Sequence, residues 1–415
     1  MYRLLFANEQ GELRDHPTWG MVGRSGLSFI EPLPEEMIPL PEGATLTLVP
    51  FSTPVGIDEQ GHFAPLHSSP FDDQERVYQV GALLPQGFTR LLLPGFTGGN
   101  ESAPLLGYTA VGVMDGQFYV AAAQTDEHHK WHPKFFNTEA LPGKVARLSA
   151  IFKDNRIIQQ LAKCALDYGC FTAQNIFYRR WEAGIPVSPV CNAGCLGCIS
   201  LQESECCPSP QERIDFVPTS DEAARLMIYH LAGSRGEIIS FGQGCEGEPS
   251  LQAEVIAKAI EQVRKETSRG TININTNAGY TEGIKKLCSS GLDSMRVSLI
   301  SAVEECYQAY YRPKNYSLAN VKESLSFGAA DGVLTSLNLL AFPGFTDTEP
   351  ELEALISMAR ETQLSIIQLR NLNIDPGVLF AKIKPDGEPL GMLTAIEILR
   401  EELPGVTIGS YSKPV

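Results

Sequence analysis

The stretch IPVSPVCNAGCLGC, residues 185–198, is the part of this sequence that says most about its fold. It begins with a short apolar run, 185–190, which we interpret as a β-strand. Three cysteines in the pattern CxxxCxxC follow at once: Cys191, Cys195 and Cys198. Three thiolates in so short a loop at the end of a strand can wrap a single inorganic cluster.

Thiolate ligands favour either an iron–sulfur cluster or zinc. A structural zinc site takes four ligands and usually uses paired CxxC units, and this chain has no second CxxC. A [4Fe–4S] cluster held by three cysteines leaves one iron open to another ligand. Gly194 and Gly197 are expected to provide the positive-φ turns that such a loop needs.

From residue 185 onward, strand-like and helix-like segments alternate. The predicted strands are 185–190, 237–242, 271–276, 294–300, 333–342 and 364–372. The predicted helices are 219–232, 253–267, 282–290, 317–330, 349–362 and 393–403. A capping box of Thr219 and Glu222 opens the first of these helices. Six strand–helix pairs fit a parallel barrel or a large part of one, with its functional groups at the C-terminal strand ends.

The first part of the chain has a different pattern. Apolar runs at 44–51, 88–96, 108–114 and 117–124, separated by Gly and Pro, predict strands. Residues 144–169 have apolar residues at helical spacing and predict one or two helices. The expected fold is α/β, with a partial TIM-type (β/α)6 parallel barrel and C-terminal extension (184–415). It follows a β-rich N-terminal domain (1–142), expected to help recognise the substrate, and a helical connector (143–183).

Composition excludes several classes of protein. The chain has 415 residues, 33 Lys and Arg against 49 Asp and Glu, and a net charge of −16 at pH 7. An acidic chain repels phosphates, which makes nucleic acid an unfavourable partner. No apolar run approaches the ~18–20 residues that span a bilayer, and the first residues resemble no signal or transit peptide. We therefore expect a cytoplasmic protein without a membrane partner, whose ten cysteines are thiols or metal ligands.

The cysteine pattern after the first barrel strand resembles that of the radical S-adenosylmethionine (radical SAM) superfamily. The resemblance covers about residues 185–375, roughly half of the chain, and identifies no subfamily. It implies a [4Fe–4S] cluster on the three cysteines, with SAM bound to the open iron through its amino and carboxylate groups. An electron donor such as flavodoxin or ferredoxin would drive cleavage of SAM to a 5′-deoxyadenosyl radical, which takes hydrogen from a substrate. That substrate stays open between a small molecule, a cofactor precursor and a protein or peptide.

The resemblance also implies roles for residues at the ends of other strands. Gly247-Glu248-Pro249 is similar to the family's GGEP element, which meets the SAM amino group, and Asn275-Thr276-Asn277 is similar to its TNG element. The remaining residues expected at SAM are two for its carboxylate, Ser298 and Arg312, and two beside its nucleoside, Asn338 and Leu340. In one respect the chain departs from the family. The residue before the third cysteine is commonly aromatic and near the adenine, whereas here it is Gly197.

The sixth predicted strand ends in an unusually polar group. Its residues are Arg370, Asn371, Asn373 and Asp375. A buried strand end needs a reason to be polar. Substrate recognition and a hydrogen-bonded core network are both consistent with it.

The other cysteines and the histidine cluster give weaker signals. Cys206, Cys207 and Cys245 are expected to be structural or reactive thiols, with a second cluster as the alternative. Four more are expected to be buried in helices: Cys164, Cys170, Cys288 and Cys306. We interpret His128, His129 and His132 as part of a polar loop, with metal binding as the alternative.

Two other functions compete with that of a radical SAM enzyme that takes hydrogen from such a substrate. One is a radical SAM transferase that modifies RNA or protein, of which the acidic charge disfavours RNA. The other is a non-catalytic iron–sulfur or zinc protein. Glu248, Ser298 and Arg312 argue against the second, because an electron carrier needs no SAM-binding groups.

Overall fold

The structure is a computed structural model that describes residues 1–49, 51–98, 107–127, 130–201, 209–233 and 235–415. His128, His129, Cys206 and Cys207 lie outside these residues. None of the helices in the described ranges is long and apolar enough to cross a membrane.

The N-terminal part is built from short strands, as predicted. Within the described ranges these are β1 (Arg3–Ala7), β2 (Leu13–Met21), β3 (Gly23–Ser25), β4 (Ser28–Ile30), β5 (Met37–Pro39), β6 (Thr45–Leu48), β7 (Ser52–Ile57), β8 (Phe63–Pro65), β9 (Ser68–Ser69), β10 (Asp72–Arg76), β11 (Tyr78–Leu83), β12 (Phe88–Arg90), β13 (Leu93–Pro94), β14 (Phe96–Gly98), β15 (Thr109–Met114) and β16 (Gln117–Gln124). The main sheet has the antiparallel order β12-β16-β15-β11-β1-β2-β7-β14. The run at 88–96, predicted as one strand, contains β12, β13 and the start of β14, because each pairs with a different strand.

Three helices connect this part to the barrel. They are α1 (Leu141–Ile151), α2 (Arg156–Leu166) and α3 (Phe171–Tyr178). The first two confirm the helical prediction for 144–169. The third follows a turn at Cys170, which is the residue before the helix and is only partly buried. Cys170 is therefore not the buried helical residue that we expected.

The second half of the chain is a parallel half-barrel, which confirms the predicted fold class. Its elements are β17 (Arg180–Gly184), α4 (Ser220–Leu231), β18 (Arg235–Phe241), α5 (Ala253–Glu266), β19 (Thr271–Thr276), α6 (Thr281–Ser289), β20 (Ser294–Leu299), α7 (Glu304–Tyr311), α8 (Leu318–Ala330), β21 (Leu334–Ala341), α9 (Glu349–Glu361), β22 (Ile366–Asn371), α10 (Pro376–Phe380), α11 (Met392–Glu402) and β23 (Thr407–Gly409). Its strands lie in chain order from β17 to β23 and all pair in parallel. The short strand β23 adds a seventh strand beyond the six predicted.

The first barrel strand lies earlier than predicted. We placed it at 185–190, but the structure has it at β17. Pro186 and Pro189 have no N–H to give to a neighbouring strand. Their segment instead offers carbonyls, since Ser188 and Val190 accept bonds from the backbone N–H groups of residues 247 and 248 at 2.7 and 2.8 Å. We missed β17 because it lacks an apolar pattern.

The barrel strands alternate between two environments. In β19, Ile272 and Ile274 face the helices and are fully buried in the main apolar core. Asn273 and Asn275 alternate with them and make their hydrogen bonds with polar groups inside the barrel. An apolar layer under the helices therefore supports an interior that can carry polar chemistry.

Candidate functional site

A cavity of about 400 Å³ opens at the C-terminal ends of the barrel strands. It is lined by most of the residues expected to act there: Cys191, Cys195, Cys198, Gly247, Glu248, Asn275, Thr276, Asn277, Ser298, Asn338, Leu340 and Arg370. These residues come from five strands and the cysteine loop. Five expected residues are not part of its wall: Pro249, Arg312, Asn371, Asn373 and Asp375.

The cysteine loop is braced by the end of α7. Gly194 N–H donates to the Tyr311 carbonyl at 2.8 Å, and Leu196 N–H donates to the Tyr310 carbonyl at 3.0 Å. Arg312, in the left-handed region with φ 45°, donates from its side chain to the Gly194 carbonyl. The structure thus gives Arg312 a bond to the back of the loop. Its expected contact with the SAM carboxylate stays a prediction.

Cys191 and Cys195 need a nearby cation if their thiols are to ionise. Burial raises the pKa of Cys191 to about 11, and the nearby Glu248 carboxylate adds to this. Burial also raises the pKa of Cys195, as do the other two thiols of the loop. Bound metal overcomes such penalties because it stabilises thiolate directly. No three His, Cys, Asp or Glu side chains of the described ranges converge as ligands of a single metal ion would.

The two glycines of the loop serve a purpose other than the one expected. Neither Gly194 nor Gly197 has a positive φ, so neither is needed for a left-handed turn. At Gly197 the reason is space: a Cβ would lie 2.9 Å from the Tyr310 hydroxyl and 3.3 Å from Leu372. Tyr310 therefore fills the position next to the third cysteine and leaves no room for the family's aromatic residue.

The turn after β18 fits closely against the segment leading into the cysteine loop. A Cβ on Gly247 would lie 2.0 Å from the Val190 carbonyl oxygen, so only glycine fits there. Pro249 begins a short 3-10 helix, Pro249–Gln252, where its missing N–H does no harm, as expected. This close contact fixes the distance between the cysteine loop and the end of the sheet.

Glu248 ties two strand ends together. Its carboxylate accepts hydrogen bonds from Thr276 Oγ1 at 2.5 Å, the Asn277 N–H at 2.8 Å and the Ser250 N–H at 3.0 Å. Asn277 in turn donates to Asn192 Oδ1 in the cysteine loop at 2.7 Å. Glu248 therefore organises the site through protein donors. Its expected contact with the SAM ammonium group stays a prediction.

Sequence reasoning missed Glu246. This buried carboxylate accepts from four backbone N–H groups, those of residues 187, 188, 242 and 243, at 2.6 to 3.0 Å. It joins the approach to the cysteine loop to the turn after β18. Burial raises its pKa to about 7. No local pattern identifies it, because half of its donors lie nearly sixty residues earlier in the chain.

Arg213 was missed as well. Its guanidinium donates to Ser200 Oγ at 2.9 Å and lies 3.8 Å from Cys198 Sγ, and its side chain lines the cavity. The residue stands in the long segment between the third cysteine and α4, where nothing in the sequence singles it out. A cation at this place stabilises negative charge on the cysteine sulfur.

Polar side chains from four neighbouring strands form the floor of the cavity. Glu182 Oε1 accepts from Arg296 Nη2 at 2.5 Å and from Ser240 Oγ at 2.6 Å, and Asn273 Oδ1 accepts from Arg296 Nε at 3.3 Å. Both members of the ion pair are buried, each with 6% of its surface exposed. Burial opposes ionisation of Glu182, yet Arg296 holds the pKa of that carboxyl below its ordinary value.

The four polar residues at the end of β22 differ in their surroundings: one lines the cavity and three make contacts within the protein. Arg370 lines the cavity and donates to Gln368 Oε1 at 2.7 Å and Asn338 Oδ1 at 3.4 Å. Asn371 instead bonds to the backbone of β12, and Asp375 caps α10 through the N–H of residues 377 and 378. Asn373 packs against Gly107 of the N-terminal part. Of the four, Arg370 alone lines the cavity, and its role in substrate recognition stays a prediction.

The other cysteines that the structure describes, and His132, lie among residues of the core or of a helix end. Cys164, Cys288 and Cys306 are buried in helices, as expected. Cys245 is buried behind the cavity wall, and its thiol is hydrogen-bonded to the free thiol of Cys164. His132 caps the short 3-10 helix Pro133–Phe135 by accepting from the Lys134 N–H at 3.2 Å. Neither Cys245 nor His132 belongs to a group of metal-binding side chains within the part of the chain that the structure describes.

Comparison with solved structures finds proteins of low identity. SuiB from Streptococcus suis is 13% identical with a TM-score of 0.41, over 68% of this chain and 61% of that one. HydG from Carboxydothermus hydrogenoformans is 15% identical with a TM-score of 0.38, over 65% and 66%. The chain thus matches about three fifths of SuiB, and similarity at this level supports no argument about function. A comparison with curated proteins gave no significant match.

The family comparison covers the barrel strands and the cysteine loop. The family model described as "Radical SAM superfamily" matches residues 185–356, which include the three cysteines and the ends of β18 to β21. Enzymes of this family bind a [4Fe–4S] cluster and SAM. Residues 185–356, about two fifths of the chain, thus match a radical SAM domain.

Proposed function

We propose that this protein is a radical SAM enzyme that acts on a substrate held in the strand-end cavity. One observation carries the proposal: three thiols and the polar ends of the neighbouring strands line a single cavity of about 400 Å³ inside the matched domain. Such an enzyme needs a substrate and an external reductant.

Cys191, Cys195 and Cys198 would hold the [4Fe–4S] cluster. The donor set fits this group, because three thiolates would ligate three of its four irons and leave one iron for another ligand. When bound there, the cluster would supply the electron for reductive cleavage of SAM, the chemistry by which a hydrogen atom would be taken from the substrate. Arg213 would balance charge at the sulfur of Cys198.

The chain's own residues would position SAM next to the cysteine loop. Glu248 holds Thr276 and Asn277 in place, so that the end of β19 presents fixed polar groups to the cavity. We propose that SAM lies along the ends of β18 to β20, over Gly247 and toward Ser298. Asn338 and Leu340, from the next strand, would border its nucleoside.

Anaerobic reconstitution tests the proposal. It should load about four iron and four sulfide per chain, and the EPR signal of the reduced cluster should change on addition of SAM. With dithionite and SAM the protein should release 5′-deoxyadenosine. Replacing the three loop cysteines with Ala should remove all three properties, whereas the matched control Cys288→Ala, in α6, should keep them. Stoichiometric zinc without iron, or a cluster that persists in the triple variant, would refute it.

A further inference from the structure

We propose that the substrate carries a carboxylate or phosphate group and that Arg370 binds this oxyanion at the floor of the cavity, beside Arg296. The inference rests on the proposed function, because it names the class of substrate for the same site. It starts from one unusual feature of the cavity wall, an arginine without an acidic partner.

Arg370 has only neutral hydrogen-bond partners. Its two acceptors are side-chain amide oxygens, Gln368 Oε1 at 2.7 Å and Asn338 Oδ1 at 3.4 Å. Among the described residues, no carboxylate lies within ion-pair distance of its guanidinium. Burial lowers its pKa to about 10, so the group is still charged at neutral pH. A charge in such surroundings is costly unless a counter-charge joins it.

The neighbouring ion pair adds to this imbalance. Arg296 shares its charge with Glu182, so the floor holds two guanidinium groups and one carboxylate. Arg296 lowers the pKa of Arg370 further, whereas Glu182, Asp126 and Tyr411 raise it. The floor therefore has one positive charge in excess, within a chain whose net charge is −16.

The other carboxylates of the cavity wall are already engaged by protein donors. Glu246 accepts from four backbone N–H groups, and Glu248 accepts from three donors. Both lie in the turn after β18, on the opposite side of the half-barrel from β22. Neither carboxylate has a hydrogen bond to Arg370.

The position of Arg370 argues for the substrate rather than SAM. Apart from Arg312, the residues expected at the charged amino and carboxylate groups of SAM lie on β18 to β20, and β22 is three strands from β19, ~14 Å along the sheet at the usual strand spacing. The β21 residues next to Arg370, Asn338 and Leu340, are expected at the uncharged nucleoside. The planar fork of an arginine matches carboxylate and phosphate oxygens in two parallel hydrogen bonds. An oxyanion of the substrate would therefore supply the missing counter-charge.

The test uses full-length protein with its reconstituted, oxidised cluster. Inorganic phosphate is followed by ³¹P line broadening and acetate by saturation-transfer ¹H NMR, which separates the two sources of an oxyanion. We expect at least one to bind, and Arg370→Gln to weaken binding about tenfold or more. Arg370→Lys keeps the charge but not the planar fork. Its anion affinity should therefore lie between those of the natural protein and Arg370→Gln. The matched control Arg360→Gln, on an exposed part of α9, should bind as the natural protein does.

SAM affinity, measured on the same samples, separates the possible outcomes. Unchanged SAM binding in Arg370→Gln, together with lost anion binding, supports the inference. Equal losses for SAM and anions would overturn it, because Arg370 would then serve the SAM carboxylate. Absence of phosphate and acetate binding to the natural protein would overturn it too. If the natural protein binds an anion through Arg370 but no SAM, the proposed function fails and the anion site stands.

Discussion

At the scale of single residues, the contact between Arg213 and Cys198 links the cavity wall to the chemistry proposed for it. The guanidinium reaches Cys198 Sγ at 3.8 Å and is held by Ser200. A hydrogen bond to a cluster sulfur stabilises the reduced form, which carries one more negative charge, and so raises the reduction potential. Arg213 therefore adjusts how easily the cluster accepts its electron.

We expect Arg213→Gln to lower the midpoint potential of the reconstituted cluster by about 60 mV, equivalent to ~1.4 kcal/mol for a one-electron couple. Redox titration followed by EPR measures this change. Arg213→Lys should show a smaller shift, because it keeps the charge. Arg225→Gln, on the exposed face of α4, is the control and should leave the potential unchanged. Equal potentials in the natural protein and Arg213→Gln would exclude this role.

Gly247 provides a second test at this scale. Gly247→Ala would bring a Cβ to 2.0 Å from the Val190 carbonyl oxygen, so the turn and the cysteine loop must move apart. We expect lower stability and reduced iron loading, measured by denaturant unfolding and iron analysis. In the matched variant Gly143→Ala the new Cβ meets open space within α1, and stability should rise by ~0.5–1 kcal/mol. Full iron loading of Gly247→Ala would contradict our account of the turn.

At the scale of elements, α4 is fastened at both ends. The predicted capping box forms at its start, where Thr219 Oγ1 accepts from the Glu222 N–H at 3.1 Å. Near its end, the fully buried His230 bonds through Nε2 to the Trp181 carbonyl of β17 at 2.9 Å. His230 Nδ1 has no hydrogen-bond partner, and burial lowers the pKa of His230 to about 4. The ring is therefore neutral in the folded protein.

This contact predicts a pH dependence of stability. Below pH ~6.5 the unfolded chain protonates His230, whereas the folded protein does so only near pH 4. Because the unfolded state then binds more protons, stability falls as the pH drops from ~6.5 to 4, by up to ~3 kcal/mol from this group. Unfolding free energies of His230→Gln should depend less on pH in this window. The control His67→Gln, at an exposed position, should follow the natural protein, and an equal slope in His230→Gln would contradict the assignment.

At the scale of the whole molecule, the N-terminal β-structure is attached to the barrel at β22. Asn371 accepts from the Arg90 N–H at 2.9 Å and donates to the Phe88 carbonyl at 3.1 Å, so its amide extends β12. The buried Arg90 guanidinium reaches back to the Leu372 carbonyl. The strand that carries Arg370 is thus held by the N-terminal part, whose role in substrate recognition stays a prediction.

Asn371→Ala should destabilise the protein by about 2–3 kcal/mol, because it leaves a backbone donor and a backbone acceptor at a buried junction without partners. Denaturant unfolding measures the loss. Proteolysis under native conditions should also cut faster between the two parts of the chain. The exposed Gln159→Ala on α2 is the comparison and should change stability by less than ~0.5 kcal/mol. A stable, protease-resistant Asn371→Ala protein would show that the junction depends on other contacts.

The sequence by itself determined the elements that short stretches can specify. Alternation in TININT predicted β19, helical spacing and a capping box predicted α4, and CxxxCxxC located the cysteine loop. These features depend on neighbours a few residues apart, and the period of the apolar pattern follows directly from strand and helix geometry. The strand predicted at 185–190 failed because two prolines made an apolar run unsuitable for pairing.

Only the tertiary structure decided how the cavity is charged. The ion pair on its floor joins Glu182 and Arg296, which are 114 residues apart, and Glu246 takes half of its donors from a distant segment. Arg370 stands out because its hydrogen-bond partners, Asn338 on the neighbouring strand and Gln368 on its own strand, are neutral amides. In the sequence Glu182, Arg296 and Glu246 look like ordinary surface charges. Their roles arise when neighbouring strands place side chains from distant parts of the chain a few ångströms apart inside one barrel.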